Sequence, residues 1–275
     1  MLPDLTMSGK ITHEEAIKPM KAALENGANF WNAGIFYGPP HANSLHLLNY
    51  YFTKYPEDAP RVVLSLKGAY DIRRQALDCS PEALRATVEE ALRVLDGAKT
   101  IDLFECARID PAVPVETTVS ALAELIREGK IGSYGLSEVS PATLRRAHAI
   151  HPPAAVEEEL SLFTRHVLDS GGVADTCREL GIPLPGAFER NVKLAEAVGM
   201  VAQRKGCTSA QIAIAWVIRH GVIAIPGATK VSRLEENCKL VDLTDAEAAE
   251  LQEAVDHTAV AGDRYPEAAK KHLSK

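Results

Sequence analysis

The sequence has no C-x-x-C pair, and none of its nine histidines is spaced with a cysteine for zinc, so a structural or catalytic metal centre is not expected. Its five cysteines (Cys79, Cys106, Cys177, Cys207 and Cys238) are odd in number and scattered, which excludes a disulfide framework and fits reduced thiols in the cytoplasm. No stretch approaches the ~18 apolar residues of a membrane span. The opening MLPDLTMSGK has no basic flank leading into an apolar stretch, and the closing HLSK matches no lipidation or organelle address. Positive charge is also short: 30 Lys and Arg stand against 37 Asp and Glu, a formal net charge of -7. That field repels nucleic acid and anionic membrane, so neither is an expected partner. There is no Pro/Ser-rich linker, low-complexity tract or strict repeat, so residues 1–275 are read as one domain. No G-x-G-x-x-G follows an early strand, which speaks against a doubly wound dinucleotide fold.

Short apolar runs alternate with longer amphipathic stretches nearly throughout, the pattern of repeated strand–helix units in a parallel α/β protein. Strands are expected at Asn29–Ala33, Val62–Leu66, Ile101–Cys106, Gly132–Leu136, Ala154–Glu158 and Val222–Ile225, all too apolar for solvent-facing hairpins. Helix starts are marked by Ser80-Pro81 and Ser140-Pro141, where a capping hydroxyl precedes a proline tolerated at the first helical position. Capping boxes stand at Thr12–Glu15, Thr208–Gln211 and Thr244–Glu247, and Gly129 ends a helix over Glu116–Glu128. This spacing favours a (β/α)8 TIM barrel, which needs eight strands where six are evident.

In such a barrel, chemistry sits on loops past the carboxyl ends of the strands. Tyr37 falls there, in GANFWNAGIFYG beside Gly38-Pro39-Pro40, and Lys67 ends the strand VVLSLKG. A phenol of pKa near ~10 is a poor proton donor at neutrality, and an adjacent ammonium favours its phenolate. The bland alternatives are an aromatic packed at the rim and a lysine reaching for water. In VIAIPGATKVSRLEENCKL a strand ends at Pro226-Gly227, and Thr229, Lys230 and Arg233 cluster at a helix start whose free amides favour an anion. The alternative is an ordinary basic helix start, which the helix dipole disfavours.

With these segments the sequence resembles the aldo-keto reductases. GANFWNAGIFYG is similar to the family's GxNxxDTAxxYG box, LSLKG to its catalytic-lysine strand, and IDLFECARID to its strand ending in a His-Arg-x-Asp run; GKIGSYGLSEVS and IPGATKVSRLEEN resemble two further signatures. The wording FWN-x-G-x-FYG, ARIDP, GLSEVS and AGDRYPE resembles the pyridoxal reductase branch. The resemblance implies an eight-stranded barrel, NADPH as cofactor, and reduction of a small carbonyl compound, pyridoxal or another aldehyde or ketone, to its alcohol. It makes Tyr37 the general acid and Lys67 the residue that tunes it, and it places Ser137 and Glu157 at the nicotinamide amide. Gly227, Thr229, Lys230 and Arg233 would hold the adenosine 2'-phosphate segment, with Glu236 and Asn237 at the adenine. Cations at that phosphate imply NADPH over NADH. A monomer or weak homo-oligomer is expected.

The departures are equally informative. The family's aspartate falls at Asn32, so Lys67 is expected to lose its carboxylate partner and hold a less basic amine, which the Asn32 amide can still position. The family's histidine falls at Ala107, and Glu157 stands where a glutamine is frequent, a buried carboxylate that needs a partner. After CRELGIPL the chain omits an AYSPLG-like strand end and the long cofactor-covering loop, and LPDLTM replaces a longer first strand. The barrel is therefore expected to be incomplete around its first and seventh strands. Three readings of the gap stay open: stretches of the natural molecule are absent from this sequence, an unusual pairing repairs the barrel, or the chain is a damaged relative. Asn32, Ala107 and the gap also point to a different function, that of a catalytically impaired NADPH-binding sensor or assembly protein.

Overall fold

The computed structural model describes residues 12–71, 74, 76–162, 164–187 and 194–256. In chain order the elements are α1 (His13–Glu25), β1 (Phe30–Gly34), α2 (Ser44–Lys54), β2 (Val63–Gly68), a small antiparallel hairpin β3 (Tyr70–Asp71) and β4 (Ala76–Leu77), α3 (Pro81–Leu95), β5 (Leu103–Cys106) and α4 (Val115–Arg127). There follow β6 (Ser133–Ser137), α5 (Pro141–Ile150), β7 (Ala155–Glu159), α6 (Val173–Leu180), β8 (Pro185–Ala187), α7 (Leu194–Lys205), α8 (Ser209–Arg219), β9 (Ile223–Ala224), α9 (Val231–Cys238) and α10 (Asp245–Asp256). All six expected strands form, each within two residues of the expected ends.

The helices begin where their caps dictate. Thr12 and Thr208 form reciprocal boxes with Glu15 and Gln211, and the Thr244 hydroxyl accepts from the Glu247 amide while Glu247 accepts from the Thr244 amide. Ser80 and Ser140 each accept from the amide three residues on. Each cap satisfies amides that the first helical turn leaves without partners and contributes about 1 kcal/mol.

The seven main strands run parallel in the order β1-β2-β5-β6-β7-β8-β9 and curl as a half barrel whose edges, β1 and β9, stand apart. The strand expected to be truncated or absent is present as the three residues of β8. Glu158 and Glu159 pair with Gly186 and Ala187 on one side, and Pro185 and Gly186 pair with Ile223 and Ala224 on the other. This short repair supplies backbone partners to β7 and β9 and removes the need for unpaired interior edges between them. At the open seam α1 packs on α9, over a cavity of about 100 Å³ lined by residues that include Met20, Trp31, Ile225 and Cys238.

Paired residues of parallel neighbours point to the same face, and side chains alternate along each strand. Trp31, Ala33, Leu64, Leu66, Phe104, Cys106, Tyr134, Leu136 and Val156 are buried against the helical layer. Trp31 is fixed there by a 2.8 Å bond from its indole to the Ala28 carbonyl and by ring contacts with Tyr51 and Phe52. The opposite, inward set includes Asn32, Ser65, Lys67, Glu105, Ser137 and Glu157, all fully or nearly fully buried. The helix-facing layer provides the apolar core, and the inner face of the sheet is polar.

Candidate active site

The loop that carries Tyr37 is held at both ends. The Ser44 hydroxyl donates to the Gly34 carbonyl at 2.7 Å, the Ser44 amide donates to the Tyr37 carbonyl at 2.9 Å, and the Asn43 amide group donates to the Ile35 carbonyl at 2.9 Å. Asn43 also caps α2 by accepting from the Leu45 amide. The Tyr37 amide turns back onto the Gly34 carbonyl at 3.0 Å, so the ring lies over Gly34. A β-carbon there would stand 3.2 Å from two ring carbons, so the glycine makes room for the tyrosine. Phe36 meets Tyr37 edge-on with centroids 5.0 Å apart, and Tyr70 of the small hairpin meets Phe36 at 5.8 Å.

Lys67 is paired in register with Gly34 and with Glu105, and its ammonium forms an ion pair with Glu157 from β7. The Asn32 amide group donates to the other Glu157 oxygen at 2.6 Å, while the Asn32 carbonyl oxygen lies 3.5 Å from the Lys67 ammonium. Lys67 thus does not lose its carboxylate partner. Asn32 cannot serve as a counter-charge, but Glu157 does, reaching across the sheet with Asn32 as its bracket. The expectation of a less basic amine is corrected accordingly: burial works against the ammonium, yet Glu157, with Tyr37 and Glu105 adding to it, holds Lys67 above the ordinary lysine range. The Glu157 carboxylate, which needed a partner, has two.

Tyr37 is next to this pair and its hydroxyl interacts with Lys67. Burial raises the phenol above its ordinary value, and the Lys67 charge opposes that rise. A neutral phenol beside a permanently charged lysine is ready to release a proton only when an acceptor develops negative charge. Tyr37, Lys67, Asn32 and Glu157 are brought together; Ser137, paired in register with Glu157 and nearly fully buried, ends β6 on the same face.

The remaining residues follow β9, at the other edge of the sheet. Gly227, Thr229, Lys230 and Arg233 are exposed around the start of α9. Glu236 is half-buried and accepts from the Thr208 hydroxyl at 2.8 Å, and Asn237 lines the seam cavity. Two charged groups near the site were missed by sequence reasoning. Glu105 is fully buried beside Lys67, and the signal was a lone acid inside the apolar run LFEC. Arg108 reaches from the rim to within 3.4 Å of the Ser137 hydroxyl, and the signal was the cation following the vacant histidine position at Ala107.

A sequence model described as Aldo/keto reductase family matches residues 4–189 and 184–256. The chain belongs to the aldo/keto reductase family. The break between the two matched segments falls on β8 and the residues just after it. A probable pyridoxal reductase 2 of Schizosaccharomyces pombe is 37% identical over 306 aligned positions, covering 95% of this chain and 91% of the relative. That alignment is longer than the 275-residue chain, so the relative contains stretches with no counterpart here. A probable aldo-keto reductase 1 of Glycine max is 33% identical, covering 93% of this chain and 83% of that one. Among solved structures, the glycerol dehydrogenase of Gluconobacter oxydans superposes with a TM-score of 0.78 at 20% identity, covering 92% and 88% of the two chains. A thermostable aldo-keto reductase in complex with the inhibitor epalrestat gives 0.77 at 23%, covering 88% of each. The solved relatives establish the fold, and the family assigns the chain to oxidoreductases that act on carbonyl compounds.

Proposed function

We propose that this aldo/keto reductase is an NADPH-dependent reductase of aldehydes and ketones, with a pyridoxal-like aldehyde as substrate. The observation that carries the reading is the series Tyr37–Lys67–Glu157–Asn32, a half-buried phenol on three buried polar groups. It sets a phenol beside an ammonium at the end of β1, where this architecture places catalytic groups.

The exposed Lys230 and Arg233 at the start of α9 fit a phosphate-bearing dinucleotide, since both helix amides and cations favour an anion there. Lys230, Arg233 and Thr229 would hold the 2'-phosphate at Gly227, Glu236 and Asn237 would flank the adenine, and Ser137 would bind the nicotinamide amide. When bound, NADPH supplies the hydride. Tyr37 then protonates the carbonyl oxygen as it gains negative charge, and Lys67 stabilises the phenolate left behind. Glu157 keeps Lys67 aimed at the phenol and charged. Phe36 and Tyr70 offer flat apolar faces beside Tyr37, which suit an aromatic aldehyde.

The test is Tyr37→Phe. Reduction of pyridoxal and other aldehydes should fall by about 10²- to 10⁴-fold, the span that a positioned general acid contributes, while a fluorescence titration with NADPH stays unchanged. Full turnover in the variant would remove Tyr37 from the chemistry. A parent chain that binds NADPH yet reduces no carbonyl compound would instead be the impaired binding protein.

A further inference from the structure

Two buried carboxylates in this molecule are treated differently. Asp58 is completely buried, but its oxygens accept from Lys21 at 2.7 Å, Tyr51 at 2.7 Å and Arg61 at 2.8 Å. Glu105 is just as buried, and among the described residues neither of its oxygens receives a hydrogen bond of acceptable geometry. Its position is specified by the sheet. It is paired in register with Lys67 on one side and Gly135 on the other, and a β-carbon at Gly135 would stand only 2.9 Å from the Glu105 Cγ. The glycine therefore leaves the space that the glutamate fills.

Glu105 faces groups from several elements. Lys67 comes from β2, Glu157 from β7 and Tyr37 from the loop after β1; the Ser65 hydroxyl of β2 lies within reach, the adjacent Cys106 thiol feels its charge, and Gly135 of β6 lies against its side chain. Two carboxyls thus share one ammonium, and Lys67 is already committed to Glu157. An ionised Glu105 would be a second buried negative charge with no cation of its own and only the Ser65 hydroxyl as a nearby donor, an arrangement far costlier than a neutral acid. A protonated Glu105 gains a donor that can turn onto the Glu157 carboxylate.

We propose that Glu105 is a positioning residue of the site: its carboxyl keeps its proton, shares it with the Glu157 carboxylate, and leaves Lys67 facing one negative charge instead of two. Lys67 then stays directed to Tyr37. Burial pushes the Glu105 carboxyl up to about 8, with Glu157 adding to the rise and Lys67 opposing it. The folded state holds a proton that the unfolded chain releases near the ordinary value of 4.5, so stability falls as pH rises from about 4.5 to about 8 and levels off above.

The effect on turnover rests on the reductase reading, but the proton is a property of the folded chain and can be observed without activity. Infrared titration of the full chain should show the C=O stretch of a protonated carboxyl at pH 7, and that band should vanish as pH rises through about 8. In Glu105→Gln the band should be absent at every pH above 6, and the decline of stability with pH should flatten. Turnover of the parent should fall through the same pH range, because a second negative charge beside Tyr37 makes the phenol a weaker acid; the glutamine variant should lose that alkaline limb. Should Glu105→Gln fail to fold, Gly135→Ala, which crowds Glu105, should shift the pH at which the band is lost. A parent without the band at pH 7 overturns the shared proton even if it reduces aldehydes. A parent with the band that reduces nothing leaves the shared proton standing and removes the reductase reading.

Discussion

From β1 to β7 the main-sheet strands are four to six residues long, and their register carries Asn32, Ser65, Lys67, Glu105 and Glu157 into one buried polar network. Beyond β7, β8 has three residues and β9 has two, and the basic residues that follow are exposed on α9. The contrast fits the different tasks that the proposed function gives each half. Proton transfer depends on placement to a fraction of an ångström, which full strands with period-two alternation provide. Holding an anion needs only cations and free amides at a helix start, which tolerate a shorter supporting strand. On the proposed reading, the better built half carries the less forgiving task.

The largest expected effect lies in the well-built half. Glu157→Gln removes the partner of a buried ammonium and should destabilise the fold by about 3–5 kcal/mol, with turnover collapsing as well. Asn32→Asp alone should be harmful too, because it sets a second carboxylate against Glu157 where a 2.6 Å hydrogen bond now stands. The double variant Asn32→Asp/Glu157→Gln moves the charge from β7 to β1 and keeps an amide opposite it. It should recover most of the stability lost in Glu157→Gln, measured by urea unfolding. Additive losses in the double variant would show that Asn32 and Glu157 do not act as one unit.

How much of this was legible in the sequence divides along the same line. The six longer apolar runs, the caps at Thr12, Ser80, Ser140, Thr208 and Thr244, and the positions of Tyr37 and Lys67 follow from local rules that act within a few residues. The Lys67–Glu157 pair was not legible, because β2 and β7 are about ninety residues apart and only the sheet order brings them together; the resemblance assigned Glu157 to the cofactor instead. Glu105 was overlooked because a single acid in an apolar run carries no spacing signal. β8 was doubtful for another reason: three residues, two of them Pro185 and Gly186, have no strand propensity, and the pairing exists only because β7 and β9 flank it.

In the shorter half the effects should be smaller and confined to the cofactor. The protein should bind NADPH at least tenfold more tightly than NADH, about 1.4 kcal/mol, and Arg233→Ala should erase most of that preference while NADH binding is nearly unchanged. Equal weakening for both cofactors would make Arg233 a structural residue and would extend the demand for exact placement to α9.

The smallest effect tests whether the two halves are mechanically separate. Thr208 caps α8 by accepting from the Gln211 amide at 3.3 Å, and its hydroxyl also donates to Glu236 on α9 at 2.8 Å. Thr208→Ala removes both contacts and should cost about 1 kcal/mol, seen as a lower urea midpoint with an unchanged slope. Because Glu236 would lose its anchor, NADPH affinity should weaken slightly as well. The pH profile of turnover should stay where it was, since Thr208 touches nothing in the Tyr37–Lys67–Glu157 series. A shifted profile would mean that α8 and α9 bear on the acid–base network, and that the short strands transmit strain instead of isolating it.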